Sequence, residues 1–203
     1  MNQNSDVRSG THKAVISVAT AILLFAGASM SLPTTAAHDH GGNNGASQMK
    51  EKKQPEVPES VAHVEHIRHP SARHFTGGQP DRDDFDAFAE LGVETVINMR
   101  SLAEMSDIPQ AAWVTEAEQA YYHIPIAGTD DINRENVALF HQVMERESQN
   151  TLYMHCASSN RVGAMMALRA AWHQGASAEE ALAIGEQYGM TSLRAHVESQ
   201  LNQ

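Results

Sequence analysis

A short apolar run ending in a cysteine, Leu152-Tyr153-Met154-His155-Cys156, constrains this chain more than any other stretch. Ala157-Ser158-Ser159-Asn160-Arg161 follows it, and then a helical pattern of Ala, Met and Leu. The run reads as a buried strand, the small polar residues as a loop, and the remainder as a helix starting behind the loop. A loop at a helix N-terminus presents unpaired backbone N–H groups and the positive end of the helix dipole, so it suits an anion and equally a thiolate. Cys156, flanked by His155 in such a place, is expected to have a lowered pKa and to act as a nucleophile. Arg161 adds a planar fork of donors matched to phosphate or sulfate oxygens. Ala157, Ser158, Ser159, Asn160 and Arg161 are therefore the expected anion cradle, with Cys156 at its base.

Around this stretch the pattern alternates strands with helices. Arg73 to Thr76, Val93 to Met99, Tyr121 to Ile126 and Leu152 to Met154 read as strands, and Val64 to Arg68 as a further short one. Asp81 is expected to cap a helix to Leu91, and Pro109 to Ala120 reads as a second helix. Asn133 caps a third, Val162 to His173 forms the fourth, and Ser177 with Glu180 makes a capping box for the fifth. Thr191 is expected to cap the last. Such alternation implies an α/β fold, a mostly parallel central sheet flanked by helices on both faces.

Arg100 and Glu104 follow the Val93–Met99 strand, at the end of the sheet where ligands bind in open α/β folds. They read either as substrate contacts or as an ion pair that holds the loop.

The stretch from His155 to Arg161 resembles the signature loop of cysteine-dependent protein tyrosine phosphatases. Phe75-Thr76-Gly77-Gly78-Gln79-Pro80, the segment from Phe85 to Arg100 with Glu104 after it, and His123-Ile124-Pro125-Ile126 are similar to the bacterial beta-lactamase-hydrolase-like, or dual-specificity-like, members of that superfamily. The resemblance covers residues 64–175. It implies a phosphatase-type sheet, Cys156 as nucleophile, the loop amides with Arg161 as phosphate cradle, and an upstream aspartate as general acid. Asp130, with Asp131 as the other candidate, lies on the loop where that acid is expected. No cofactor is implied. The substrate expected is a phosphorylated protein or a small phosphate ester.

Three departures keep other readings open. Four residues separate Cys156 from Arg161, one fewer than in the commoner phosphatase loop. The usual loop glycine is absent, and Val162 stands where a hydroxyl residue commonly follows the arginine. A loop of this length also serves rhodanese-like sulfurtransferases, in which Cys156 would carry a persulfide and Asp130 would be idle. A catalytically poor anion-binding module is the remaining alternative.

Residues 1–37 read as a signal peptide, with Arg8 and Lys13 before an apolar core from Ala14 to Ala28 and Thr35-Ala36-Ala37 for cleavage. The apolar run is short against the roughly 20 residues a membrane span needs, so no stable membrane insertion is expected after cleavage. The expected location is periplasmic or secreted. Residues 38–60, polar and rich in His, Gly and Pro, read as a disordered linker, leaving 61–203 as the folded domain. Cleavage after Ala37 would expose His38-Asp39-His40, whose amine and imidazoles at His38 and His40 offer a square-planar site to Cu(II) or Ni(II). With 14 Lys and Arg against 25 Asp and Glu, and a net charge of −11, the balance argues against nucleic acid as a partner, since a basic face is the usual electrostatic requirement.

Overall fold

The computed structural model describes residues 54–202; the expected signal segment, His38, His40 and most of the expected linker lie outside the described residues. Five strands and six α-helices are built from them. In chain order they are β1 (Arg68–Ser71), β2 (His74–Gly77), α1 (Arg82–Glu90), β3 (Val93–Asn98), α2 (Gln110–Glu116), β4 (Ala120–His123), α3 (Arg134–Arg146), β5 (Thr151–His155), α4 (Asn160–Gln174), α5 (Ala178–Gln187) and α6 (Arg194–Leu201). The sheet runs β1-β2-β5-β3-β4. All pairs are parallel except β1 with β2, so the strand that ends at Cys156 lies in the middle.

A central parallel strand is covered on both faces and must be apolar throughout. In β5, Leu152 and Met154 enter one core, with residues of α3, α4, α5 and α6. Tyr153 enters the other, with Phe85 and Phe88 of α1 and Val114 of α2. In β3 the register slips between Val93 and Thr95, so Glu94 is an extra residue against β5. That bulge puts Val93 and Val96 in the same core while Ile97 faces the other.

The caps follow local chemistry. The Asp84 carboxylate accepts from the Asp81 N–H at 2.7 Å, Asn133 Oδ1 accepts from the Asn136 N–H, and Ser177 with Glu180 forms the expected box. Helices α4 and α5 cross closely: a Cβ on Gly163 would collide with the Gly185 carbonyl and the Met190 nitrogen.

Several boundaries differ from expectation, among them the end of β4, which stops at His123 and not at Ile126. Residues 61–67 form successive turns, with Val64 N–H bonded to Val61 O and Ile67 N–H to Val64 O, so the first strand begins only at Arg68. Helix α2 stops at Glu116 because the chain reverses through Glu118, which has φ of 58°. Thr191 is not a cap; α6 begins after Leu193. Packing also reaches upstream of Val61: Val57 lies against the core of α1 and α2, and the Glu56 carbonyl accepts from His69. Among the described residues no helix is long and apolar enough to cross a membrane.

Candidate active site

The strand β5 delivers Cys156 to the carboxyl end of the sheet, where it is 1% exposed. The turn after β2 presses on it from one side. The Cys156 N–H donates to the Gly77 carbonyl at 3.4 Å, and the Tyr153 hydroxyl, stacked between Phe88 and His155, donates to the Gly78 carbonyl at 2.6 Å. A Cβ on Gly78 would lie 3.0 Å from the Ala157 carbonyl, so glycine permits this close approach. The loop then folds back on the sulfur, with the Ser158 N–H directed at Cys156 Sγ across 3.5 Å. Ser159 closes it in the left-handed conformation, φ 63°. A non-glycine residue there costs about 1–2 kcal/mol.

Arg161, on the first turn of α4, is held from three sides. Nη1 donates to Glu104 Oε2 at 2.7 Å and to the Ile126 carbonyl at 2.7 Å, and Nη2 donates to Glu104 Oε1 at 2.8 Å. A guanidinium has five N–H donors. Nη1 also reaches the Met99 carbonyl at 3.3 Å, so both its N–H groups are engaged, and Nε–H with the second Nη2–H remain for the Cys156 sulfur beside it or for a bound anion. The paired guanidinium pushes Glu104 well below the usual carboxylate range, and Glu104 in turn raises Arg161. Arg100 reaches Glu104 only at 3.4 Å, so Glu104 is chiefly the brace of Arg161. Local spacing gave no sign of that pairing; the only sequence signal was the place of Glu104 just beyond a sheet strand.

His155 is fully buried, and burial pulls it down from 6.5 to about 3. It is therefore a neutral ring, bonded through Nε2 to Gln110 at 2.7 Å, and it does not act as a proton-accepting base at neutral pH. Nothing in the local sequence marks Gln110 as a partner of His155.

Beside Arg161 opens a cleft of about 370 Å³, with Glu104, Ala127, Gly128, Thr129, Ile132 and Leu193 in its wall. Asp130 and Asp131 belong to the short 3-10 turn Thr129–Asp131 at its rim. The Asp131 carboxylate accepts the Ala127 N–H at 2.7 Å and so holds the loop. Asp130 is exposed, and its carboxylate has no hydrogen-bond partner among the described residues. Asn160 turns its side chain away from the cradle: Oδ1 accepts from the Thr191 and Leu193 N–H groups and Nδ2 donates to Ser192. It can contribute only its backbone N–H to an anion. Among the described residues no group of three His, Cys, Asp or Glu side chains is placed to hold a metal.

The chain is similar to a beta-lactamase hydrolase-like protein of Xylella fastidiosa, 28% identical over 122 residues; the match covers 58% of this chain and 28% of that relative. Its fold is similar to a candidate phosphatase from Shewanella putrefaciens CN-32, with TM-score 0.55 and 17% identity over 71% of this chain and 95% of the other. It is also similar to the active form of Tk-PTP, with TM-score 0.53 and 16% identity over 67% and 95% of the two chains. These likenesses concern the fold alone. A family model described as "DSP-PTPase phosphatase fused to NAD+ Kinase" matches residues 55–203, all of the domain that carries Cys156, Arg161 and Glu104, and the chain belongs to that family of dual-specificity-type phosphatases.

Proposed function

We propose that this domain hydrolyses phosphate monoesters through a cysteinyl-phosphate intermediate. The observation that carries the proposal is the Glu104–Arg161 fork beside Cys156, which leaves two donors at a loop whose Ser158 amide faces the sulfur. The Cys156 thiolate attacks phosphorus in line, forming an S–P bond as the P–O ester bond breaks. Loop amides and Arg161 hold the equatorial oxygens through the transfer. Asp130 gives its proton to the departing oxygen. It then takes one from the water that cleaves the S–P bond, which returns the thiolate and releases phosphate. Asp130 is the better candidate because Asp131 is already committed to the Ala127 N–H.

Val162 points into the core and is 0% exposed. No hydroxyl therefore follows Arg161 to assist departure of the thiolate, and the second step is expected to be the slower one. The substrate class is a phosphorylated protein or a small phosphate ester, and the acidic chain argues against nucleic acid. Export to the periplasm or medium is part of the same proposal and is supported by the order of charged, apolar and small residues in 1–37. Fractionation that leaves the uncleaved chain in the cytoplasm would remove that part.

The test is rapid-mixing kinetics with para-nitrophenyl phosphate under reducing conditions. A burst of nitrophenol close to one per enzyme, a phosphorylated Cys156 trapped by acid quench, and loss of both in Cys156→Ser are the expected results. Asp130→Asn should slow esters with poor leaving groups more than nitrophenyl phosphate. Thiocyanate formation from thiosulfate and cyanide without nitrophenol release would instead assign sulfur transfer.

A further inference from the structure

Arg100 can only donate hydrogen bonds, and that fact fixes the direction of a buried chain of them. Its Nη1 donates to Gln79 Oε1 at 3.0 Å, so the amide of Gln79 must present its nitrogen on the other side. That Nε2 donates to the Pro80 carbonyl at 2.9 Å and to Gln110 Oε1 at 3.0 Å. The Arg100 backbone N–H donates to Asn98 Oδ1 at 2.8 Å, which likewise turns Asn98 Nδ2 toward Tyr121 and, at 3.5 Å, toward Gln110 Oε1. Two donors thus converge on Gln110 Oε1. Gln110 Nε2 is left to donate to His155 Nε2 at 2.7 Å. That nitrogen must be the bare one, so the proton of the neutral ring sits on Nδ1. His155 Nδ1 is buried and has no hydrogen-bond partner among the described residues; the Cys156 backbone next to it raises the ring's proton affinity, which only its carbonyl, as an acceptor, can do. Arg100 itself is anchored from behind, because His123 Nε2–H donates to its carbonyl at 2.7 Å.

We propose that Gln110 is a positioning residue for the Cys156 loop: the one-way relay from Arg100 through Gln79 and Gln110 fixes the Nδ1–H tautomer of His155 and so supplies the N–H that can hold the Cys156 carbonyl. In a trans peptide the C=O and the following N–H point in opposite directions. A carbonyl held on the His155 side therefore aims the Ala157 N–H at the anion side of the loop. With the other tautomer, a bare imidazole nitrogen would face the carbonyl oxygen, two acceptors against one another, and the peptide would lose its anchor. The proposal assumes that Cys156 is the reactive thiol of the phosphatase reading, but its primary readout requires no turnover.

The experiment is long-range 1H–15N spectroscopy of the full chain with labelled histidine, with the rate of Cys156 alkylation by iodoacetamide at pH 7 measured in parallel. In the unaltered protein His155 should show a protonated Nδ1 and a bare Nε2. Gln110→Glu places an acceptor-only carboxylate against His155 Nε2, so the proton should move to Nε2 and alkylation should slow about tenfold, the scale of one hydrogen bond. Gln110→Met, which keeps the volume and removes the donor, should give a mixture of tautomers and an intermediate rate. A His155 that carries Nε2–H in the unaltered protein overturns the proposal without recourse to any variant. So does an unchanged tautomer with an unchanged alkylation rate in both variants. Absence of nitrophenol release with the tautomer shift intact would defeat the phosphatase reading and leave the positioning role standing.

Discussion

Two glutamates of this domain sit in polar clusters against the same sheet, and they differ in what faces them. Glu104, beyond the carboxyl end of β3, meets a guanidinium in a two-pronged pair. Glu147, toward the amino ends of the strands, is 9% exposed and among the described residues accepts hydrogen bonds from neutral donors: Thr95 Oγ1, Tyr122 OH and Asn150 Nδ2 at 3.1, 2.7 and 2.7 Å. The first cluster leaves donors over on Arg161, beside a cleft. The second uses its donors on the carboxylate itself and ties β3, β4 and the start of β5 together. A polar cluster that satisfies itself is cross-bracing; one that keeps a cation braced with donors to spare is built to receive something else.

Exchanging charge for a neutral isostere at each glutamate tests that distinction and should give the largest effects. Glu104→Gln keeps one acceptor and introduces a donor against Arg161, so the fork is lost and the guanidinium can rotate. Misplacement of a positioned group by about 1 Å costs on the order of 100-fold in turnover. We expect a fall of that size in kcat on nitrophenyl phosphate, with a smaller change in KM. Glu147→Gln should cost about 1–3 kcal/mol of stability, read from urea midpoints, with kcat unaltered. If instead Glu147→Gln removed turnover, or Glu104→Gln spared it, the contrast between brace and receptor would fail.

That contrast also shows what could be read from the sequence. The β5–loop–helix stretch was legible because its parts are contiguous: an apolar run, Cys156, four small or polar residues, Arg161. The alternation of strands and helices, the caps at Asp81, Asn133 and Ser177, and the covered parallel sheet were legible for the same reason, since each follows from local periodicity and local hydrogen bonding. The partners were not. Glu104 lies 57 residues before Arg161, and Gln110 lies 45 before His155; only the sheet order brings them together. Arg100 is the nearer cation to Glu104 in sequence, and spacing alone favoured the pair that proves to be the longer contact. The Val64–Arg68 strand failed because backbone turns through His66, at φ 56°, outweighed the β-propensity of Val64 and Ile67.

An effect spread over a pH range involves the histidines at the two ends of the sheet. Burial holds His74, bonded to the Tyr188 hydroxyl, at about 4 and His155 at about 3, both from 6.5. Both rings are neutral in the fold and take up a proton when the chain unfolds below pH 6.5. The unfolded chain therefore binds more protons, and stability is full above pH 6.5 and falls as the pH drops toward 4. Two such groups give a limiting slope of about 2.7 kcal/mol per pH unit in that window. Glu104 adds to the loss below its ordinary 4.5, because its folded value is depressed. Urea midpoints at pH 7, 6 and 5 measure the slope, and His74→Gln should halve it without altering alkylation of Cys156. A midpoint that stays constant from pH 7 to 5 would mean that neither ring is held neutral by burial.

The smallest effect concerns strain. Ser159 in the loop and Glu118 in the turn before β4 both adopt left-handed backbone, at φ 63° and 58°. Glycine relieves about 1–2 kcal/mol at such a position and returns about 0.5–1 kcal/mol as unfolded-state entropy, so Glu118→Gly should stabilise by roughly 0.5 kcal/mol, whereas Ser159→Gly also loses the hydroxyl's bond to the His66 carbonyl, about 1 kcal/mol, and should give no net gain. Equal backbone conformations thus give unequal gains in stability. Their neighbourhoods do not predict equal consequences for the thiol. Glu118 only ends α2, whereas Ser159 is fully buried, donates to the His66 carbonyl and closes the loop around Cys156. Alkylation of Cys156 should therefore change in Ser159→Gly and not in Glu118→Gly. Equal changes in both variants, or none in either, would mean that the left-handed residue in the loop shapes the backbone without tuning the thiol, and that the carboxyl end of the sheet owes its chemistry to the Arg161 and His155 networks alone.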